Sequence, residues 1–125
     1  MAKILLAEDD QSISEMYKIK LTQHGHQIVL ASDGDEAIEL LKKENDWDLV
    51  LLDIMMPNKN GYDVLDFIRN ESPQPEIKVI ALTNFDERIG KASCENFGVK
   101  EYIIKANFTP EEIAKKVNET IIQKL

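Results

Sequence analysis

Leu49-Val50-Leu51-Leu52-Asp53 decides the fold: an unbroken apolar run, closed by a carboxylate. A strand with one wet face alternates apolar and polar residues. An unbroken apolar run needs cover on both faces, as in a parallel sheet between helices. The same design recurs in both directions along the chain. Ile4-Leu5-Leu6-Ala7 ends in Glu8 and Asp9, and Tyr102-Ile103-Ile104 ends in Lys105. Strands are therefore expected at Lys3–Ala7, Gln27–Ala31, Asp48–Leu52, Lys78–Leu82 and Glu101–Ile104, with both faces covered.

Between these runs the apolar residues recur at helical spacing. Ile13, Met16, Tyr17 and Leu21 share one face; so do Ala37, Leu40 and Leu41, and later Ile113, Val117 and Ile121. The punctuation agrees. Thr109-Pro110-Glu111-Glu112 supplies an N-cap, a proline at the first helical position and a capping-box glutamate. Gly25 and Gly98 suit left-handed helix ends, and Asp33-Gly34 marks the turn into the second helix. Five alternating β-α units imply an α/β fold with a five-stranded parallel sheet and helices on both faces. Ligands bind such sheets beyond the carboxyl ends of the strands, where strand order reverses.

At 125 residues the chain suits one domain, 1–125. Its net charge of −8 argues against nucleic acid or an anionic membrane as a direct partner, though acidity also serves solubility. The lone Cys94 cannot form an internal disulfide, which fits a reducing compartment; its helical setting predicts a packed thiol. Met1-Ala2-Lys3 runs straight into a strand with no room for a signal peptide, and no apolar stretch approaches membrane-spanning length. A cytoplasmic location is expected.

The strand ends bring Glu8, Asp9 and Asp53 to one edge with Lys105 and Thr83. Three hard oxygen donors suit magnesium, which takes one or two carboxylates, waters and phosphate oxygens. Beside a cation, Asp53 can act as a phosphoryl acceptor and form an acyl phosphate. Lys105 would add a positive charge, and Thr83 a hydroxyl for a phosphoryl oxygen. Each piece also has an ordinary reading: acids complementing a helix dipole, a solvated lysine, a β-forming threonine. What singles the set out is its convergence on one edge.

Taken together, Ile4-Leu5-Leu6-Ala7-Glu8-Asp9-Asp10, Asp48 through Pro57 with Gly61, Ile80-Ala81-Leu82-Thr83 and Tyr102-Ile103-Ile104-Lys105 resemble the receiver domain of two-component response regulators. The resemblance covers essentially the whole chain. It implies a flavodoxin-like sheet of strand order 2-1-3-4-5, an order known for this fold. It implies Asp53 as phosphoacceptor, Asp9 as a direct metal ligand and Glu8 as its partner through water. The Met55 carbonyl would complete the Mg2+ shell. Thr83 and Lys105 would be the switch hydroxyl and the amine, and Tyr102 the aromatic that follows the threonine inward. Pro57 and Gly61 would shape the loop after the acceptor. Two positions depart from the family pattern: Asn84 where a small residue is usual, and Ala106 where proline is usual. With alanine there, the Lys105–Ala106 peptide is expected to be trans. Met55 and Phe85 are apolar where the family's residues shape water access, so the resemblance implies a long-lived phosphorylated form.

The resemblance also implies partners: a histidine kinase or phosphotransfer protein upstream, and a protein target downstream. The target would meet the face formed by the fourth helix, fifth strand and fifth helix, where Arg88, Lys91, Lys100 and Glu101 are expected to be exposed. A monomer or a phosphorylation-dependent dimer would serve. With the sequence ending at Gln123-Lys124-Leu125 and no effector domain beyond, a stand-alone switch is expected, not an enzyme acting on a separate substrate. The alternatives are a pseudo-receiver scaffold, which the full set of acids, Thr83 and Lys105 argues against, and a small phosphoaspartate-type phosphatase. The latter would want an acid near Asp53 where Met55 stands. His24 and His26 read as a solvated loop pair and Trp47 as packing, all at the edge opposite the acids.

Overall fold

The computed structural model describes residues 2–84 and 88–122, and the side chains of all of these except 88 and 89. Its elements are β1 (Lys3–Ala7), α1 (Gln11–Gln23), β2 (Gln27–Ala31), α2 (Gly34–Lys43), β3 (Leu49–Asp53), α3 (Gly61–Asn70), β4 (Val79–Thr83), α4 (Arg88–Asn96), β5 (Glu101–Ile104) and α5 (Pro110–Ile122). A short 3-10 turn, Lys105–Asn107, follows β5. The five strands form one parallel sheet in the order β2-β1-β3-β4-β5.

Alternation along the strands divides the core in two. Ile4, Leu6, Leu49, Leu51, Ile80 and Leu82 face one way, onto Tyr17 and Leu21 of α1 and Ile113, Ala114 and Val117 of α5. Leu5, Ala7, Val50, Leu52, Val79 and Ala81 face the other, onto side chains of α2, α3 and α4 that include Ala37, Leu41, Val64, Leu65, Ile68 and Cys94. Each fully buried leucine or isoleucine here contributes about 1.5–3 kcal/mol.

Cover on both faces holds for β1, β3 and β4. The edge strands β2 and β5 are mostly half-buried, since each has a neighbour on one side only. β3 and β4 each begin and end one residue later than the sequence implied. Asp53 pairs with Leu82 and Thr83 with Ile104, so both polar residues belong to the ladder. Asp48 and Lys78 stand just before it, where the Asp48 carboxylate accepts from the Lys3 amide at 2.8 Å. Met16 is 44% exposed: α1 turns Ser14, Tyr17 and Leu21 inward, and Met16 falls outside that arc.

The punctuation residues act as expected. Thr109 and Glu112 form the reciprocal capping box, with bonds of 3.1 and 2.9 Å. Gly25 and Gly98 have φ of +88° and +73°, the left-handed region that favours glycine. No described peptide bond is cis, Lys105–Ala106 included.

His24 and His26 are not a solvated pair. The Ala2 amide donates to His26 Nδ1 at 3.2 Å, which leaves the proton on Nε2 to donate to Asn118 Oδ1 at 2.6 Å. The Asn118 amide then faces His24 Nδ1 at 3.1 Å, and His24 Nε2 meets Glu111 at 3.0 Å. This chain of bonds ties the α1–β2 connection to α5.

Candidate functional site

Each residue of the site leaves the sheet at the carboxyl end of a strand. Glu8 and Asp9 follow β1, Asp53 ends β3, Thr83 ends β4 and Lys105 follows β5. The apolar strands behind them exclude water, so Glu8, Asp53, Thr83 and Lys105 are all under 10% exposed, while Asp9 is exposed. One carboxylate oxygen from each of Glu8, Asp9 and Asp53 lies within 4.8 Å of the others. Opposite ligands of magnesium at about 2.1 Å would be about 4.2 Å apart, so the set fits this ion with little adjustment. The donors are carboxylates throughout, the chemistry a hard cation takes.

Lys105 bridges two of the acids. Its ammonium is paired with Glu8 and lies 3.2 Å from Asp53 Oδ2. Asp53 Oδ1 accepts from the Met55 amide at 3.1 Å. Three carboxylates face one ammonium, and with all three ionised the surplus of two negative charges equals the charge of one divalent cation. Burial pushes the Asp53 carboxyl up to about 8; hydrogen bonding with Glu8 and repulsion from it add to this, and Lys105 and the Met55 amide oppose it. Burial pulls the Lys105 ammonium down, but its bond to Glu8 and the charge on Asp53 outweigh that, so its pKa lies above the usual lysine value.

Asp10 stays out of the cluster. It is the N-cap of α1 and accepts from the Ile13 amide at 3.1 Å. Met55 is 60% exposed. Tyr102 is half-buried against the core face of α2, α3 and α4. Lys91 and Lys100 are exposed and Glu101 half-buried. Phe85 and the Arg88 side chain lie outside the described residues.

Tyr17, read from sequence only as a core residue, is buried close enough to the site to feel its charges. Burial raises its phenol pKa; Lys105 lowers it, and Glu8 and Asp53 raise it. Nothing in helical spacing separates a phenol turned toward a site from one turned into the core.

The response regulator receiver domain family matches residues 4–118. The chain belongs to this family. Over 117 residues it is 43% identical to a regulatory protein of Bacillus subtilis, the uncharacterized transcriptional regulatory protein YcbL, covering 94% of this chain and 50% of that one. The transcriptional regulatory protein CpxR of Escherichia coli is 34% identical over 117 residues, covering 94% and 48%. This receiver thus spans about half the length of the curated relatives it matches. Among solved structures, the non-phosphorylated HemR receiver domain of Leptospira biflexa superposes with a TM-score of 0.89 at 28% identity, covering 100% and 98%. The response regulator TrrA of Thermotoga maritima, in complex with Mg(2+)-BeF, gives a TM-score of 0.82 at 32% identity, covering 96% and 99%. No helix among the described residues is long and apolar enough to cross a membrane.

Proposed function

We propose that the chain works as a single cytoplasmic receiver unit in which Asp53 accepts a phosphoryl group in a magnesium-dependent reaction. The observation that carries this reading is the buried Asp53 carboxylate, held by Lys105 and the Met55 amide beside two further acids. Glu8, Asp9 and Asp53 would hold the ion, with the Met55 carbonyl completing its shell. When bound, the ion cancels the surplus negative charge and draws electron density from the phosphoryl oxygens.

The chain's own groups do the rest. An ionised Asp53 oxygen attacks phosphorus. The new acyl phosphate bond forms as the bond to the donor's leaving atom breaks, and the electron pair departs with that atom. Lys105 neutralises charge on the transferred oxygens, and Thr83 offers its hydroxyl to one of them. Thr83 and Tyr102 would carry the change to the surface formed by α4, β5 and α5, where a target protein binds. The donor would be a histidine kinase or a phosphotransfer protein. Transcriptional regulation is named for relatives about twice as long, and the acidity of this chain bears only on its own 125 residues.

Incubation with acetyl phosphate and magnesium, followed by mass spectrometry, tests the reading. One added phosphoryl group, absent without magnesium and absent from Asp53→Asn, is the expected result. Catalytic turnover of the donor with no labelled protein would point to a phosphatase, and no reaction at all to a scaffold.

A further inference from the structure

The segment between β3 and α3 carries Met55, and it is anchored at three places. At its start the Met55 amide donates to Asp53 Oδ1. At its end the Gly61 amide donates to the Ile54 carbonyl at 2.8 Å, and a Cβ on Gly61 would sit 2.6 Å from Ile54 Cα. The third anchor comes from the β2–α2 turn. Asn58 takes a left-handed φ of 66°, which asparagine tolerates better than most residues. Its side-chain amide donates to Asp33 Oδ2 at 2.9 Å. The neighbouring Gly34 leaves so little room that an added Cβ would meet the Lys59 carbonyl oxygen at 1.9 Å.

Asp33 thus has two separate jobs. Its Oδ1 caps α2 by accepting from the Glu36 amide at 2.8 Å, and its Oδ2 holds the tip of the neighbouring loop. We propose that Asp33 is a positioning residue for magnesium: acting through Asn58, it fixes the loop whose Met55 carbonyl serves as a ligand. This rests on the reading of that carbonyl and the three acids as the metal site. The physical reason is tolerance. Magnesium requires near-ideal octahedral geometry, so a ligand offered by a backbone carbonyl is only as good as the loop that presents it.

Substitutions can separate the two jobs. Asp33→Ser keeps a good N-cap oxygen but cannot also reach Asn58. Asn58→Gly keeps the left-handed backbone and removes the amide. Magnesium chloride is titrated calorimetrically into metal-free wild type, each single variant and the double variant, with thermal unfolding in chelator measured alongside. Each single variant should weaken magnesium binding by about three- to tenfold, and the double should be no weaker than the worse single. Unchanged magnesium affinity in the single variants, or losses that multiply in the double, overturns the latch, whatever happens to the unfolding midpoint. A wild type that binds no magnesium overturns the metal site itself, and the latch with it.

Discussion

The two edges of the sheet treat charge in opposite ways. At the amino edge cations and partners are matched. Lys3 pairs with both Glu44 and Asp46; Lys78 donates to the Thr120 and Ile121 carbonyls at the end of α5; Arg69 donates to the carbonyls of Pro75, Ile77, Phe97 and Gly98. At the carboxyl edge three acids cluster beside one ammonium, Lys105, which pairs with two of them, Glu8 and Asp53. Cations whose donors are met by carbonyls and carboxylates are architecture. A buried surplus costs stability, and a protein keeps one only where it is needed.

The largest effect should come from removing the central acid. Asp53→Asn keeps the shape, abolishes phosphoryl labelling, and relieves repulsion inside the cluster. In chelator at pH 8 the variant should therefore be more stable than wild type, by about 1–2 kcal/mol. Asp46→Asn at the amino edge removes a partner of Lys3 and should bring no gain. Denaturant unfolding of both variants checks the contrast; a destabilised Asp53→Asn would mean that the surplus is not a cost.

Next in size is the comparison of two adjacent acids. Asp9→Asn removes a metal oxygen and should weaken magnesium binding by at least about tenfold. Asp10→Asn should leave it nearly unchanged, because asparagine caps a helix as well as aspartate does. Calorimetric titration decides, and the reverse ranking would shift the site by one residue.

These residues were legible because their information is one-dimensional. In a parallel sheet the residue after an apolar strand lands on the carboxyl edge, and Glu8, Asp53 and Lys105 need no more than that. The strand order came from family resemblance, not from periodicity. The one-residue offset in β3 and β4 was hidden because Asp53 and Thr83 can pair in a ladder as well as end one. Other features depend on where helices lie in space. Met16 faces out although the spacing put it in. The His26–Asn118–His24–Glu111 chain joins residues from opposite ends of the sequence. Asp33 and Asn58 meet across two turns that carry no shared pattern.

The edges should also differ in their response to pH. Asp53 has a folded pKa raised to about 8, so the folded state holds its proton longer than the unfolded chain does. Its contribution is full below the ordinary carboxylate value and is lost as pH rises toward 8. Asp46 is the reverse: its bond to Lys3 lowers its pKa, so its contribution is present at neutral pH and lost on acidification. Metal-free protein should therefore lose stability from pH 5 to pH 8. Magnesium should flatten that slope, adding about 1.4 kcal/mol at ten times its dissociation constant. Thermal scans across this range, with chelator and with magnesium, make the test; a slope unchanged by magnesium would detach the ion from the acids.

The smallest effect should be at Trp47, just ahead of β3 at the amino edge. It is only 3% exposed, and Lys3 sits 4.5 Å from its ring centroid. Its backbone exchanges bonds of 2.9 Å with the Gln74 side chain, yet its buried indole N–H has no partner. Trp47→Phe would sacrifice ring area and part of the cation–π attraction. It would also remove a buried donor whose desolvation costs about 1–3 kcal/mol. The two nearly offset, so stability should change by less than about 1 kcal/mol, and magnesium affinity and labelling not at all. In the wild type, strand geometry places Trp47 roughly 16 Å or more from the acids. Its fluorescence should then hold steady through a magnesium titration. Strong quenching without unfolding would show that the ion's effect crosses the sheet, and the two edges could no longer be treated as independent.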